Sequence, residues 1–127
     1  MTRLAITGGA LLGLVGVATG AFGAHALKDR LDPALLEVWN TASRYALVHA
    51  LALVATGLLA ERRPSRAASV AGWSLLGGAV VFAGTLWLLA LTGARWLGAI
   101  TPLGGTALLV GWGALAVAGF GARSPEA

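Results

Sequence analysis

Apolar positions along the chain fall into four long blocks separated by short polar ones. Leu4 to Ala26, Ala67 to Leu91 and Thr101 to Ala122 contain no Asp, Glu, Lys or Arg. The second block, Thr41 to Ala60, is interrupted by Arg44 and also holds His49. A hydrocarbon core of about 30 Å is crossed by about 20 apolar residues in helical form, so each block is long enough to span. None alternates polar and apolar residues as a spanning β-strand must. The pattern predicts an all-α, integral membrane four-helix bundle. Its spans lie near 4–26, 41–60, 67–91 and 101–122, in a single four-span domain over residues 1–127.

The connectors carry start signals. Asp32-Pro33 pairs an N-cap acid with proline at the first helical position. The residues that follow mix Leu35, Leu36, Val38 and Trp39 with Glu37 and Asn40, so a short interfacial helix is expected before the second span. Glu61 to Arg66 reads as a polar hairpin, and Gly93 to Ala99 as a tight loop holding Arg95 and Trp96. Thr101-Pro102 repeats the cap and proline signal at the start of the fourth span.

Two of the spans carry a stripe of small residues. Gly9, Gly13, Gly16, Gly20 and Gly23 step alternately by four and three, which keeps them on one helix face. Gly104, Ala107, Gly111, Ala114, Ala118 and Gly121 do the same in the fourth span. Small residues let helix backbones approach closely in lipid. The first and fourth spans are therefore expected to make the tightest helix contacts, within one chain or between chains. The stripe also favours a retained first span, although Arg3 and Ala24-His25-Ala26 mimic a cleavable secretory leader.

Composition agrees with a lipid environment. Of 127 residues 57% are hydrophobic and 11% charged, and the mean hydropathy is +0.82. A soluble domain carries about a quarter of its residues charged. The net charge of +4 does not indicate nucleic acid, because the basic residues sit singly between apolar blocks and form no stripe. The absence of cysteine excludes disulfides, thiolate metal sites and cysteine nucleophiles. Arg3, Arg62, Arg63, Arg66 and Arg123 fall at one end of the bundle, and Lys28, Arg30, Arg44 and Arg95 at the other. The larger set faces the cytoplasm by the positive-inside rule, giving an N-in, C-in orientation.

In that orientation the polar chemistry gathers on the outer side. His25, Lys28, Thr41, Arg44, Tyr45, His49, Arg95, Thr101 and the Gly104-Gly105 pair all fall there. Thr41, Tyr45 and His49 step by four and share a face, with His49 about two turns inside its span. An imidazole at that depth needs hydrogen-bond partners, and Tyr45, Thr56 and His25 are the candidates. Three readings of His49 stand. It is a structural hydrogen bond tying the first two spans, a proton relay or ligand site, or a metal site shared with His25 and a nearby acid. No HExxH or comparable spacing supports the last, and neither metal nor cofactor is expected.

Other residues have paired readings too. A helix start at Thr101-Pro102, with Gly104-Gly105 and the outer Lys and Arg residues, could receive a phosphate or lipid head. Simple capping accounts for the same residues. Trp39 and Trp96 fit an outer interfacial belt and Trp73 an inner one, while Trp87 and Trp112 read as packing residues. Every acid lies in a loop, connector or tail, which argues against a carboxylate-driven proton pump. The chain shows no Ser/His/Asp order, phosphate loop or nucleotide fingerprint.

Four patches carry a family resemblance. They are GAFGAHALK at Gly20 to Lys28, Trp39-Asn40-Thr41-Ala42 through Tyr45 to His49–Leu53, Gly84 to Gly93, and Leu97 to Gly105 with Gly111-Trp112 after it. In this order they resemble the domain-of-unknown-function four-two-three family, the transmembrane protein two-five-six-like small membrane proteins. The resemblance implies a four-helix, multi-pass membrane protein with no assigned activity, here in a bacterial inner (plasma) membrane. Ala46 stands where members often have Gln, and Thr85-Leu86-Trp87 where they often have Ser-Leu-Tyr.

Three functions follow as expectations. The first is a non-enzymatic packing or assembly protein, forming a homo-oligomer or joining a larger membrane complex. The second is a carrier or binding protein for a small anion or lipid head, using His25, His49 and nearby basic residues. The third is an enzyme at the membrane surface, which lacks a recognisable nucleophile-and-base set. Membrane lipid is the expected partner in each case.

Overall fold

A computed structural model describes residues 1–121. Ala122, at the end of the expected fourth span, and the tail residues Arg123 and Glu126 lie outside the described residues. Four helices follow one another: α1 (Thr2–His25), α2 (Pro33–Arg62), α3 (Arg66–Thr92) and α4 (Leu97–Phe120). Each is long and apolar enough to cross a membrane. There is no strand among the described residues, so the architecture is the all-α one that the four blocks predict.

Two boundaries differ from the sequence pattern. Asp32-Pro33 does open a helix, with Asp32 at the N-cap position but without a side-chain cap bond, and that helix runs unbroken through the second span for 30 residues. Nothing between Leu35 and Arg44 interrupts it, and Trp39 and Ala42 are buried, so the expected interfacial helix is simply the first turns of α2. The second difference is that α4 begins at Leu97, not at Thr101. Pro102 therefore lies inside the helix, where it withholds the N–H that Gly98 would normally receive. Thr101 does not cap; its hydroxyl donates to the Leu97 carbonyl at 3.2 Å.

The α2–α3 and α3–α4 turns each have a local cause. Ser65 caps α3 by accepting from the Ala68 N–H at 3.0 Å. Gly93 ends α3 at φ 70°, a left-handed conformation that glycine adopts without a Cβ penalty.

α1 packs along α2 and α4 along α3; α2 and α3 join the two pairs, and α1 touches α3 lightly. The stripes of α1 and α4 thus each face a sequence neighbour instead of each other. Within α1, a Cβ on Gly9, Gly16 or Gly23 would stand 2.8 Å from the Ala50 carbonyl, 2.9 Å from Leu47 Cδ2 or 2.6 Å from Trp39 Cδ1. Gly13 and Gly20 have room, at 3.5 and 3.9 Å. Gly104, Gly111 and Ala118 are buried in α4, whereas Ala107 and Ala114 are half-buried and Gly121 is exposed. The alternating steps resolve into a seven-residue repeat. That period keeps one seam on the partner as two helices wind left-handedly.

Alanine makes up most of the core between the helices, including Ala42, Ala46, Ala50, Ala79 and Ala83, around the fully buried Leu53, Leu75 and Thr56. Leu14, Leu51, Leu109 and other large apolar side chains are exposed on the outside. This distribution suits a solvent as apolar as the side chains, where helices associate by close packing and interhelical hydrogen bonds.

Candidate functional site

The first polar group inside the bundle begins at Gly23. Its missing side chain lets Trp39 press against α1, and Trp39 Nε1 donates to the Thr19 carbonyl at 2.7 Å. Ser43, one turn on, donates to Thr19 Oγ1 at 2.9 Å and receives Trp87 Nε1 at 3.3 Å. Three helices are joined by this seam. Trp39 is only 5% exposed, so it is not the belt residue expected of it; the indole N–H needs an acceptor and finds one inside. Replacing Ser43 by Ala is expected to destabilise by about 1 kcal/mol and at most about 2. A reversible unfolding titration in mixed detergent would measure it, and a shift smaller than about 0.3 kcal/mol would show the seam to be incidental.

The second group centres on His49. It lies about 24 Å along α2 from Pro33 and about 20 Å from Arg62 at 1.5 Å per residue, mid-helix. Trp112 of α4 donates its Nε1 proton to His49 Nε2 at 3.1 Å. Indole nitrogen only donates, so Nε2 is the acceptor and the ring proton sits on Nδ1. From there it is donated to the Tyr45 carbonyl at 2.6 Å. Tyr45 stacks on the imidazole with centroids 5.7 Å apart and tilts against Phe82 at 4.5 Å.

Among the readings of His49, this assignment argues against the proton relay. Both ring nitrogens are engaged, and the indole end accepts no proton, so the pair cannot pass one on. The structural hydrogen bond is the reading that fits, but it ties α2 to α4, not α2 to α1. His25 is exposed at the loop end. Gly13 lies against Ala50 at the level of His49, which leaves His25 about 18 Å farther along α1. The two histidines do not meet.

Beside the His49–Trp112 pair is a cavity of about 430 Å³ between α2, α3 and α4, lined among others by Tyr45, Phe82, Pro102, Gly105 and Leu109. A second, of about 580 Å³, continues toward the loops over Thr41, Arg44, Tyr45, Val48 and His49. The two share Tyr45, Val48 and His49. Both fall in the 300–1,000 Å³ range typical of small-molecule sites. A larger cavity of about 740 Å³ lies at the opposite end, beside Met1, Thr2, Ser65 and Arg66.

Thr41, Arg44, Tyr45, His49 and Gly105 therefore come together around one cleft. Lys28 and Arg95 are exposed at the loop end and line neither cavity. Thr101 bonds to Thr85 Oγ1 at 2.7 Å and joins α4 to α3. At Gly104 a Cβ would be 2.5 Å from the Phe82 backbone nitrogen, so its space is taken by α3. The expected anion site at the start of α4 is thus replaced by a helix crossing. Among the described residues, no group of three or more His, Cys, Asp or Glu is placed to hold a metal ion. Trp112, Trp87, Ser43 and Thr19 were not among the expected site residues; the signal for the tryptophans was an N–H in mid-span that had to find an acceptor.

The family model described as protein of unknown function (DUF423) matches residues 19–105, a stretch holding the whole Thr19–Trp39–Ser43–Trp87 seam and His49. A UPF0382 membrane protein of Staphylococcus epidermidis is 44% identical over 110 residues, 87% of this chain and 89% of that one. UPF0382 membrane protein SH2409 of Staphylococcus haemolyticus is 42% identical over 118 residues, 93% and 96% of the two chains. UPF0382 membrane protein YwdK of Bacillus subtilis is 40% identical over 111 residues, 87% and 90%. No solved structure matches the chain. Four helices long enough to span, and a likeness that runs nearly end to end, make this chain a multi-pass membrane protein that belongs to the DUF423 family.

Proposed function

We propose that the chain is a non-enzymatic protein of the bacterial plasma membrane that binds a lipid-soluble molecule in the cleft between α2, α3 and α4. The observation that carries this reading is the cavity of about 430 Å³ beside the His49–Trp112 bond. Its walls are apolar and aromatic, with few polar groups, which is the usual make-up of a ligand pocket. The glycine stripes, which favoured an assembly role, are used within the chain on α2 and α3. The imidazole at the cleft is not free to act as a base, since His49 is committed at both nitrogens. The bacterial relatives and the arginines of the α2–α3 hairpin support a plasma-membrane location with both termini in the cytoplasm.

Gly105 offers a direct test. A Cβ there is in ordinary contact with Phe82 at 3.8 Å, so Gly105→Leu starts from an unstrained Cβ and adds its bulk at a residue that lines the cleft. Native mass spectrometry of the full chain released from lipid nanodiscs should show a retained lipid on wild type and at least a fivefold lower occupancy on Gly105→Leu. Equal occupancy would place the lipid elsewhere and end this reading.

A further inference from the structure

We infer that the cleft selects an anionic phospholipid from the leaflet at the α1–α2 loop end, with its phosphate on Arg44 and its acyl chain along Tyr45 toward Trp112. This rests on the cleft reading above and adds the class of ligand.

The cleft has two chemically different halves. The loop-end half is lined by Thr41, Arg44, Tyr45, Val48 and His49, and so contains a full positive charge and no carboxylate. Arg44 is exposed, and its guanidinium is held toward the Thr41 hydroxyl at 3.4 Å. One of its five N–H donors is directed there; a phosphate oxygen fits the rest of the fork. The deeper half carries no charge at all. Its polar lining is confined to Tyr45, His49, Thr106 and Trp112. Three of these have their polar hydrogens or lone pairs engaged within the protein: His49 with Tyr45 O and Trp112, and Thr106 with the Pro102 carbonyl at 2.8 Å. With no charge and only the Tyr45 hydroxyl left among its polar side chains, this half suits an acyl chain better than an ionic or strongly hydrated ligand.

The two halves adjoin, with Tyr45, Val48 and His49 as shared walls, an arrangement that suits one amphiphile with a charged head and an apolar tail. Depth agrees. Arg44 lies on α2 about 7 Å deeper than Trp39, and Trp39 packs against the loop residue Leu27 at the end of the bundle. A long basic side chain at that depth extends toward the headgroups. A basic residue near the membrane surface favours anionic lipid by about fivefold.

Brominated phospholipids test this in nanodiscs holding the full chain, because bromine on an acyl chain quenches a tryptophan it touches. Trp112, whose signal is the one lost in Trp112→Phe, is itself 41% exposed, so the part of its quenching that Gly105→Leu removes reports the deep half. At equal mole fraction, brominated phosphatidylglycerol should produce that part with about fivefold higher apparent affinity than brominated phosphatidylcholine. Arg44→Gln should bring the ratio close to one, and Arg44→Lys should keep most of it. A ratio near one in wild type, or one unchanged by Arg44→Gln, overturns the anionic assignment while the cleft reading stands. A preference abolished by inorganic phosphate assigns Arg44 to a free anion, and also overturns it. Absence of any Trp112 quenching that Gly105→Leu removes, by either lipid, overturns the cleft reading itself, and this inference with it.

Discussion

Gly104→Ala is expected to push α4 off α3 and to cost more than about 3 kcal/mol, beyond the usual range for one added methyl group. The reason is what the methyl would meet. It would stand 2.5 Å from the Phe82 nitrogen and 2.9 Å from the Gly78 carbonyl. Both are backbone atoms in mid-helix, so no side-chain rotation relieves the overlap and one whole helix must shift. Gly78 faces the same crossing from the other side, where an added Cβ would stand 2.9 Å from the Gly104 carbonyl. Separation would also stretch the Thr85–Thr101 bond of 2.7 Å nearby. Gly77→Ala is the control, since a Cβ there meets nothing within 4 Å. It removes a helical glycine and should leave stability unchanged or raise it by up to about 1 kcal/mol. Heating both variants in detergent and measuring the monodisperse fraction separates the two outcomes. If Gly104→Ala survived heating as well as Gly77→Ala, the α3–α4 crossing would not be a close one.

The helices were legible because length against bilayer thickness is a strong constraint. Leu4 to Ala26 or Ala67 to Leu91 has little else to become. Partner choice was not legible in the same way. A stripe such as Gly9–Gly16–Gly23 says that one face is smooth, but it does not say whether Leu47 of α2 or a residue of α4 will press on it. Proline was ambiguous for a different reason. Thr101-Pro102 has the form of a helix start, yet a membrane helix tolerates proline in its interior, because neighbouring helices and Thr or Ser hydroxyls satisfy the freed groups. The hairpin-like connection that begins at Gly93 left room for α4 to start earlier. At the site, Thr41, Tyr45 and His49, each one turn apart on α2, line one cavity. The acceptor–donor bond to Trp112 spans 63 positions, and nothing local in the sequence encodes it. Trp39 was misplaced because an amphipathic segment puts tryptophan at an interface by statistics. The Gly23 gap opposite it, which is what buries the ring, is a property of the folded pair.

His49 and Trp112 should prove worth less together than the sum of their separate losses. His49→Leu leaves the indole N–H in an apolar cleft, at a penalty of about 1–3 kcal/mol for an unmet donor. Trp112→Phe leaves the Nε2 lone pair in the same position with the charges reversed in sense. When both are replaced, each unmet group is gone and only packing is lost. The double variant should therefore be more stable than additivity predicts, by about 0.6 kcal/mol and at most about 1.7, the range for interhelical bonds in lipid. Strict additivity would mean that the 3.1 Å contact carries no energy. A second readout excludes a merely steric coupling. Nitrogen-15 spectra of wild type should show His49 protonated at Nδ1 and bare at Nε2, because Trp112 supplies the proton that Nε2 accepts. Trp112→Phe removes that restraint, and the population of the Nε2-protonated tautomer should rise. A wild-type ring already protonated at Nε2 could not accept from the indole, and the 3.1 Å contact would then not be this hydrogen bond.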